Sequence, residues 1–205
     1  MKKLLRQLLV IVVFPAIILF LGYLIVDSIN KPVRFEREMK KRQAVAVERL
    51  KDIRTLQTAY KTKYGRFTGS LDTLIDFYKN GYITVIRQVG SLDDSLAVAQ
   101  KRVFRDSIRI NVRDTLLKRT GFVSDSLRFI PFSGGKEFQM ASTIRVISGV
   151  PVPLFEAYAP YEFLLRGLDR QLIINLRADQ IAKNRYPGPK VGSIDAPNNN
   201  AGNWE

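Results

Sequence analysis

The nineteen residues from Leu8 to Val26, LLVIVVFPAIILFLGYLIV, contain no charged side chain. As a helix rising ~1.5 Å per residue they form a rod of about 28 Å, close to the hydrocarbon thickness of a bilayer. A helix half-exposed to water does not carry apolar side chains on every face, so this run is expected to cross a membrane. Pro15 and Gly22 fit that reading, because spanning helices tolerate residues that weaken soluble ones. A cleaved signal peptide needs a shorter apolar run and a small-x-small exit, and Val26-Asp27-Ser28-Ile29-Asn30 offers neither. The chain has no cysteine, which excludes a lipidated N-terminal Cys. The run is read as an uncleaved anchor.

This feature orders the rest of the chain. We expect a basic tail over 1–7, the span over 8–26 and a juxtamembrane amphipathic helix over 27–64. A head of α+β class, rich in strands with short helices, follows over 65–185, and a Pro/Gly/Asn-rich tail fills 186–205. Lys2, Lys3 and Arg6 crowd the short tail, whereas Lys31, Arg34, Arg37, Lys40, Lys41 and Arg42 follow the span. A raw count favours keeping the second group inside, but long domains translocate largely regardless of charge. Dragging the compact tail outward opposes the membrane potential by about 2.3 kcal/mol per charge per 100 mV. The expected arrangement is therefore a single-pass protein of a bacterial inner membrane with its C-terminal head in the periplasm.

Charge is uneven along the chain. The first 64 residues carry fourteen Lys/Arg against five Asp/Glu, and the remainder nineteen against fourteen. The excess thus lies beside the span, and Lys31, Arg34, Arg37, Lys40, Lys41 and Arg42 are the candidate contacts to anionic lipid, the other reading being a solvated helix face. No aromatic platform is interleaved with these cations, so nucleic acid is not expected as a partner. Absence of both His and Cys removes the commonest general base, the commonest metal ligand and any thiolate site. Hydrophobic residues make up 46% of the chain, enough for a real core.

From Phe35 to Tyr64 the pattern is helical. Met39, Ala46, Ile53 and Tyr60 recur every seven residues, with Leu50, Leu56 and Tyr64 on the same face. Met39, Ala46, Leu50, Ile53 and Tyr60 form a candidate helix-pairing face, narrow enough for another helix or for the following domain. Gln43 and Gln57 interrupt the seam and weigh against a pure coiled coil. The expectation is a stalk whose far half packs on the head and whose near half stands free, with a hinge near Asn30–Lys31 imposed by Pro32. A protein partner, or self-association through the stalk, follows from that stripe.

Beyond Tyr64 the punctuation is clear. Gly65 suits the left-handed position past a helix end, and Ser70 caps a helix over Leu71–Lys79 that Asn80-Gly81 closes. Tyr82–Arg87 has strand composition, Leu92–Val103 fits a helix, and a turn or short helix from Asp114 is closed by Gly121. Ile108, Ile110 and Val112 alternate with Arg109, Asn111 and Arg113, giving a strand with one core face and one basic face. Ser133-Gly134-Gly135-Lys136 reads as a hairpin connection into a strand over Glu137–Ile147. Pro151 and Pro153 mark an edge or turn, and Leu154–Tyr158 returns as a strand. Tyr161–Leu168 and Asp179–Arg185 read as helical, and Gln171–Leu176 fits strand or helix.

DIRTLQTAYKTKYGRFTGSLDTLIDFYKNG at residues 52–81 resembles the region of type IV pilins and type II secretion pseudopilins where the long helix leaves the membrane. Tyr60, Tyr64, Gly65, Arg66, Phe67, Ser70, Leu71 and Leu74 occupy the corresponding places. The order of basic leader, apolar span, amphipathic helix and β-rich head is also similar. That resemblance implies one continuous helix and a subunit of an envelope assembly. The glycine cleavage site and the early Glu of those families have no counterpart, since Arg6-Gln7-Leu8 open the span and Asp27 is the first acid.

The chemistry-bearing alternatives are weak. Ser133 and Lys136 match a Ser-x-x-Lys spacing, but two intervening glycines oppose the helix that such a pair requires. Asp93, Asp94, Asp106 and Asp114 lack metal-ligand spacing, and no phosphate-binding glycine loop occurs. Arg109 and Arg113 are explained as a solvated strand face. No catalytic, cofactor-binding or metal-binding residue is assigned, and a binding role rather than an enzyme is expected.

Overall fold

The structure is a computed structural model that describes residues 9–89, 104–118 and 122–205. The basic tail over 1–7, the expected helix Leu92–Val103 and the closing Gly121 lie outside the described residues. The dominant element is one helix, α1 (Phe14–Tyr64), about 76 Å long at ~1.5 Å per residue. A π-helical turn, Leu9–Val13, precedes it. The wider turn is a reasonable companion for Pro15, which lacks an N–H and crowds the carbonyl four residues back.

Pro32 lies inside α1 and does not break it. The expected hinge is therefore replaced by continuous helix. An interior proline removes one backbone bond at a cost of about 3 kcal/mol, but helix already formed on both sides spares a second nucleation. Lys31 and Asp27 pair at 2.9 Å across the same turn. The helix ends at Gly65, whose φ of 73° is the left-handed conformation expected of a C-terminal cap, and its N–H reaches the Lys61 carbonyl at 2.8 Å.

The head wraps the second half of α1. Helix α2 (Leu71–Asn80) starts at Ser70, whose side chain accepts from the Thr73 N–H, and it buries Leu74, Ile75, Phe77 and Tyr78. An antiparallel ribbon of β1 (Tyr82–Val89) and β2 (Phe104–Asn111) leads into the short helix α3 (Val112–Thr115). Val112 is not a strand residue as expected; it opens α3 and is wholly buried. The Thr115 hydroxyl, which donates to the Asn111 carbonyl at 3.0 Å, helps turn the chain there. Along the ribbon Ile83 packs against the core and its partner Ile110 is half-buried, while Val85 and its partner Ile108 stay exposed.

The second sheet has the order β3-β4-β5, all antiparallel, from β3 (Gln139–Ile147), β4 (Val150–Tyr158) and β5 (Lys190–Gly192). Pro151 and Pro153 sit within β4 rather than in a turn before it. They share the parity of Phe155, whose carbonyl faces β5 at Gly192. β5 pairs only with Glu156 to Tyr158, so the missing proline N–H groups point to an edge with no strand to serve. Between β4 and β5 lie α4 (Tyr161–Leu164) and α5 (Arg170–Ala182), so the ambiguous Gln171–Leu176 run is helical.

The last twenty residues are part of the head, not a separate tail. Val191 is fully buried and lies in β5, and Trp204 packs against the core. Gly192 has a φ of 72°, and a Cβ there would sit 2.2 Å from the Phe155 carbonyl oxygen. Only glycine fits so close a backbone approach. Arg54 of α1 closes the arrangement by pairing with Glu205 at 2.6 Å.

Candidate functional site

The two halves of α1 have opposite surroundings. Through the apolar half, every described side chain from Val12 to Val26 is exposed, and nothing among the described residues covers the stretch apolar enough to cross a membrane. Exposed apolar surface continues past Val26 through Ile29 and Val33. The only acid in that extension, Asp27, is held by Lys31, and this hydrogen bond and charge raise the Lys31 pKa above its usual value. The apolar character of α1 thus fades over Asp27–Arg37 rather than ending at Val26.

In the second half, Ala46, Leu50, Ile53 and Leu56 are completely buried, Tyr60 is buried, and Met39 is half-buried at the lower edge of the same core. The candidate pairing face is occupied by the chain's own head. The two glutamines that interrupt it are matched to head groups. Gln57 is fully buried; its amide donates to the Thr68 carbonyl at 2.6 Å and its oxygen accepts from the Thr68 N–H at 3.1 Å. Gln43 accepts from the Tyr161 hydroxyl at 3.4 Å, and burial raises the Tyr161 pKa. A side chain that satisfies both backbone groups of a buried residue specifies that neighbour, because leaving such groups unpaired is costly.

The six candidate lipid-contact cations divide in the same way. Arg42 is turned to the head: it pairs with Glu38 at 3.0 Å, donates to the Arg166 carbonyl at 2.9 Å and lies over the Phe132 ring. Lys40 pairs with Glu36 at 2.7 Å, and that contact lowers the Glu36 pKa. Lys41 is exposed on the same level. These three lie some 21–24 Å beyond Val26 along the axis, at ~1.5 Å per residue. Lys31, Arg34 and Arg37 lie nearer the apolar half, and the structure brings them together with a segment the sequence did not associate with them. Gly167–Asp169 and the start of α5 pack beside α1 there, forming a groove of about 520 Å³ whose apolar lining is Phe35, Leu168 and Leu172. Asp169 reaches this place as the cap of α5, accepting from the Gln171 and Leu172 N–H groups at 2.9 and 3.1 Å.

The Ser133–Lys136 pair forms a turn. The Ser133 hydroxyl is buried, donates to the Ile130 carbonyl at 2.7 Å and accepts from the Lys136 N–H at 3.0 Å. The Lys136 ammonium lies over the Phe163 ring instead of the hydroxyl. This is the hydrogen bonding of a tight loop closed by the Phe129–Glu137 bridge. Among the described residues no group of three or more His, Cys, Asp or Glu is placed to hold a metal ion. Arg109 of β2 stacks on Tyr82 at 5.0 Å, and Lys63 approaches the same ring at 3.5 Å.

Comparison with protein families, with curated proteins and with solved structures found no match to this chain. The geometry of α1 and its surroundings is what a functional reading rests on.

Proposed function

We propose that this chain is a single-pass membrane protein of the bacterial envelope with a structural, scaffold or assembly role exercised by binding. One observation carries the reading: a single uninterrupted helix is both the exposed apolar rod and the centre of the head. Anchor and head therefore move as one piece, and whatever binds the head is held at a fixed height above the bilayer. The partner meets the head surface, because the stalk stripe is already covered. The absence of His and Cys and the structural use of Ser133 favour binding over catalysis. A reporter active only outside the cytoplasm, fused to Glu205, tests the orientation. Activity with an intact Met1 terminus is expected; an inactive fusion would place the head in the cytoplasm and overturn the envelope assignment.

A second reading, a pilin-like or pseudopilin-like subunit, gains from the same continuity. The resemblance at residues 52–81 implies one helix passing from span into head, and Pro32 does not interrupt it. Removal of the basic leader before the span, with sedimentable polymers in the membrane fraction, would favour this reading. An intact terminus and small complexes would favour the scaffold.

A further inference from the structure

We propose that the groove between α1 and the start of α5 binds the headgroup of an anionic phospholipid from the leaflet beside the head, an inference resting on the anchored reading above. The argument begins with charge. Three cations, Lys31, Arg34 and Arg37, outnumber the two acids of the groove, Glu38 and Asp169, and the Asp169 charge acts on Lys31. Glu38 is paired with Arg42, and Asp169 accepts two backbone N–H groups as the α5 cap. Lys31 is paired with Asp27. Arg34 and Arg37, in contrast, have no ion-pair partner among the described residues, and no other interaction is known for them. They stand three apart on the helix, on neighbouring positions of one face. Two guanidinium groups so placed suit a phosphate, which accepts from their forked donors.

Depth supplies the second argument. The exposed apolar surface of α1 extends through Ile29 and Val33, and neutralising Asp27 with Lys31 lets that stretch approach lipid. Headgroup layers add roughly 5–8 Å on each side of the hydrocarbon. Arg34 lies about 12 Å and Arg37 about 16 Å beyond Val26 along the axis, and their long side chains, able to snorkel, carry the guanidinium groups back toward that layer. The third argument is the lining. Phe35, Leu168 and Leu172 give the groove an apolar wall that a free phosphate has no use for and that the glycerol and upper acyl region of a lipid would cover. Charge beside an apolar wall, close to the headgroup layer, is the chemistry of an amphiphile.

The full-length protein, purified in detergent and reconstituted in nanodiscs, tests this with phosphatidylglycerol against phosphatidylcholine as probes. Native mass spectrometry counts the lipids that stay bound. Wild type is expected to retain phosphatidylglycerol preferentially, and R34Q/R37Q to retain about tenfold less. K51Q/K61Q removes the same charge from exposed positions higher on α1 and is expected to behave as wild type. Equal losses in both double variants would mean diffuse attraction and overturn the site, as would no loss in R34Q/R37Q. Leu172→Ser keeps every cation and is expected to weaken retention as well; unchanged retention would overturn the apolar part of the site. Alkaline extraction of membranes separates the two levels of failure. Release into the supernatant would overturn the anchoring itself, whereas firm membrane retention without lipid selectivity would overturn the groove alone.

Discussion

The first and second halves of α1 are the same secondary structure built for different surroundings. From Val12 to Val26 the side chains are aliphatic or aromatic on every face and nothing among the described residues covers them. From Ala46 to Tyr60 the apolar residues narrow to one stripe, and the stripe contains a fully buried glutamine. Lipid offers no fixed donors or acceptors, so a helix facing lipid has no use for a polar side chain. A folded neighbour does offer them. Gln57, answered by both backbone groups of Thr68, marks the second half as made for one protein surface. The comparison teaches that polar interruptions of an apolar seam are informative: they exclude lipid and, when matched within the chain, exclude a generic helix partner too.

Mutations at equivalent positions in the two halves should break that symmetry. Leu50→Ala opens a cavity in a completely buried site and is expected to cost about 2–5 kcal/mol in urea unfolding of the full chain in detergent. Leu19→Ala, at a position three-quarters exposed, is expected to shift the same transition by less than ~0.5 kcal/mol. Equal effects would sink the claim that the head is built on the second half alone. Gln57→Leu keeps the size but leaves the Thr68 N–H and carbonyl unpaired, and a loss of about 1–3 kcal/mol is expected. A neutral result would show that the glutamine tolerates the core without specifying it. Pro32→Ala falls between the halves; hydrogen exchange around Ser28 should slow, with head unfolding unchanged within ~0.5 kcal/mol. A change in head stability instead would reveal that the helix transmits strain across Pro32.

Much of this division was legible in the residues. Charge-free length announced the exposed half, seven-residue spacing announced the stripe, and Gly65 and Ser70 ended and capped helices where their conformational preferences required. The Pro32 hinge was not, because a local preference against helix yields when helix on both sides is already fixed. The C-terminal twenty residues look like a tail by composition, yet Val191 and Gly192 complete a sheet whose partner strand lies some thirty-five residues earlier. The groove was half-visible: Lys31, Arg34 and Arg37 stood out, but Leu168 and Leu172 join them only through tertiary packing. The one local sign was Asp169 before an apolar run, a capping position that fixes where α5 starts.

The smallest expected effect concerns how the end of the chain is held on the buried half. Glu205 sits within 2.6 Å of Arg54, and that hydrogen bond is the main reason its pKa lies below the usual 4.5. A carboxyl whose folded pKa is depressed adds stability that is present above its unfolded value and is lost as pH falls through the folded one. The contact is exposed to solvent, so its contribution is small and screened by salt. Wild type and Glu205→Gln should therefore differ slightly in unfolding midpoint at neutral pH and low salt. The two midpoints should converge as pH falls below 4.5 towards the depressed value, because protonation abolishes in wild type the charge that the amide already lacks. Raising the ionic strength at neutral pH should narrow the gap as well. A gap that persists in acid would mean that the glutamine disturbs the packing around Gly202 and Trp204 rather than the ion pair, and the closure of the head onto α1 would then rest on that packing.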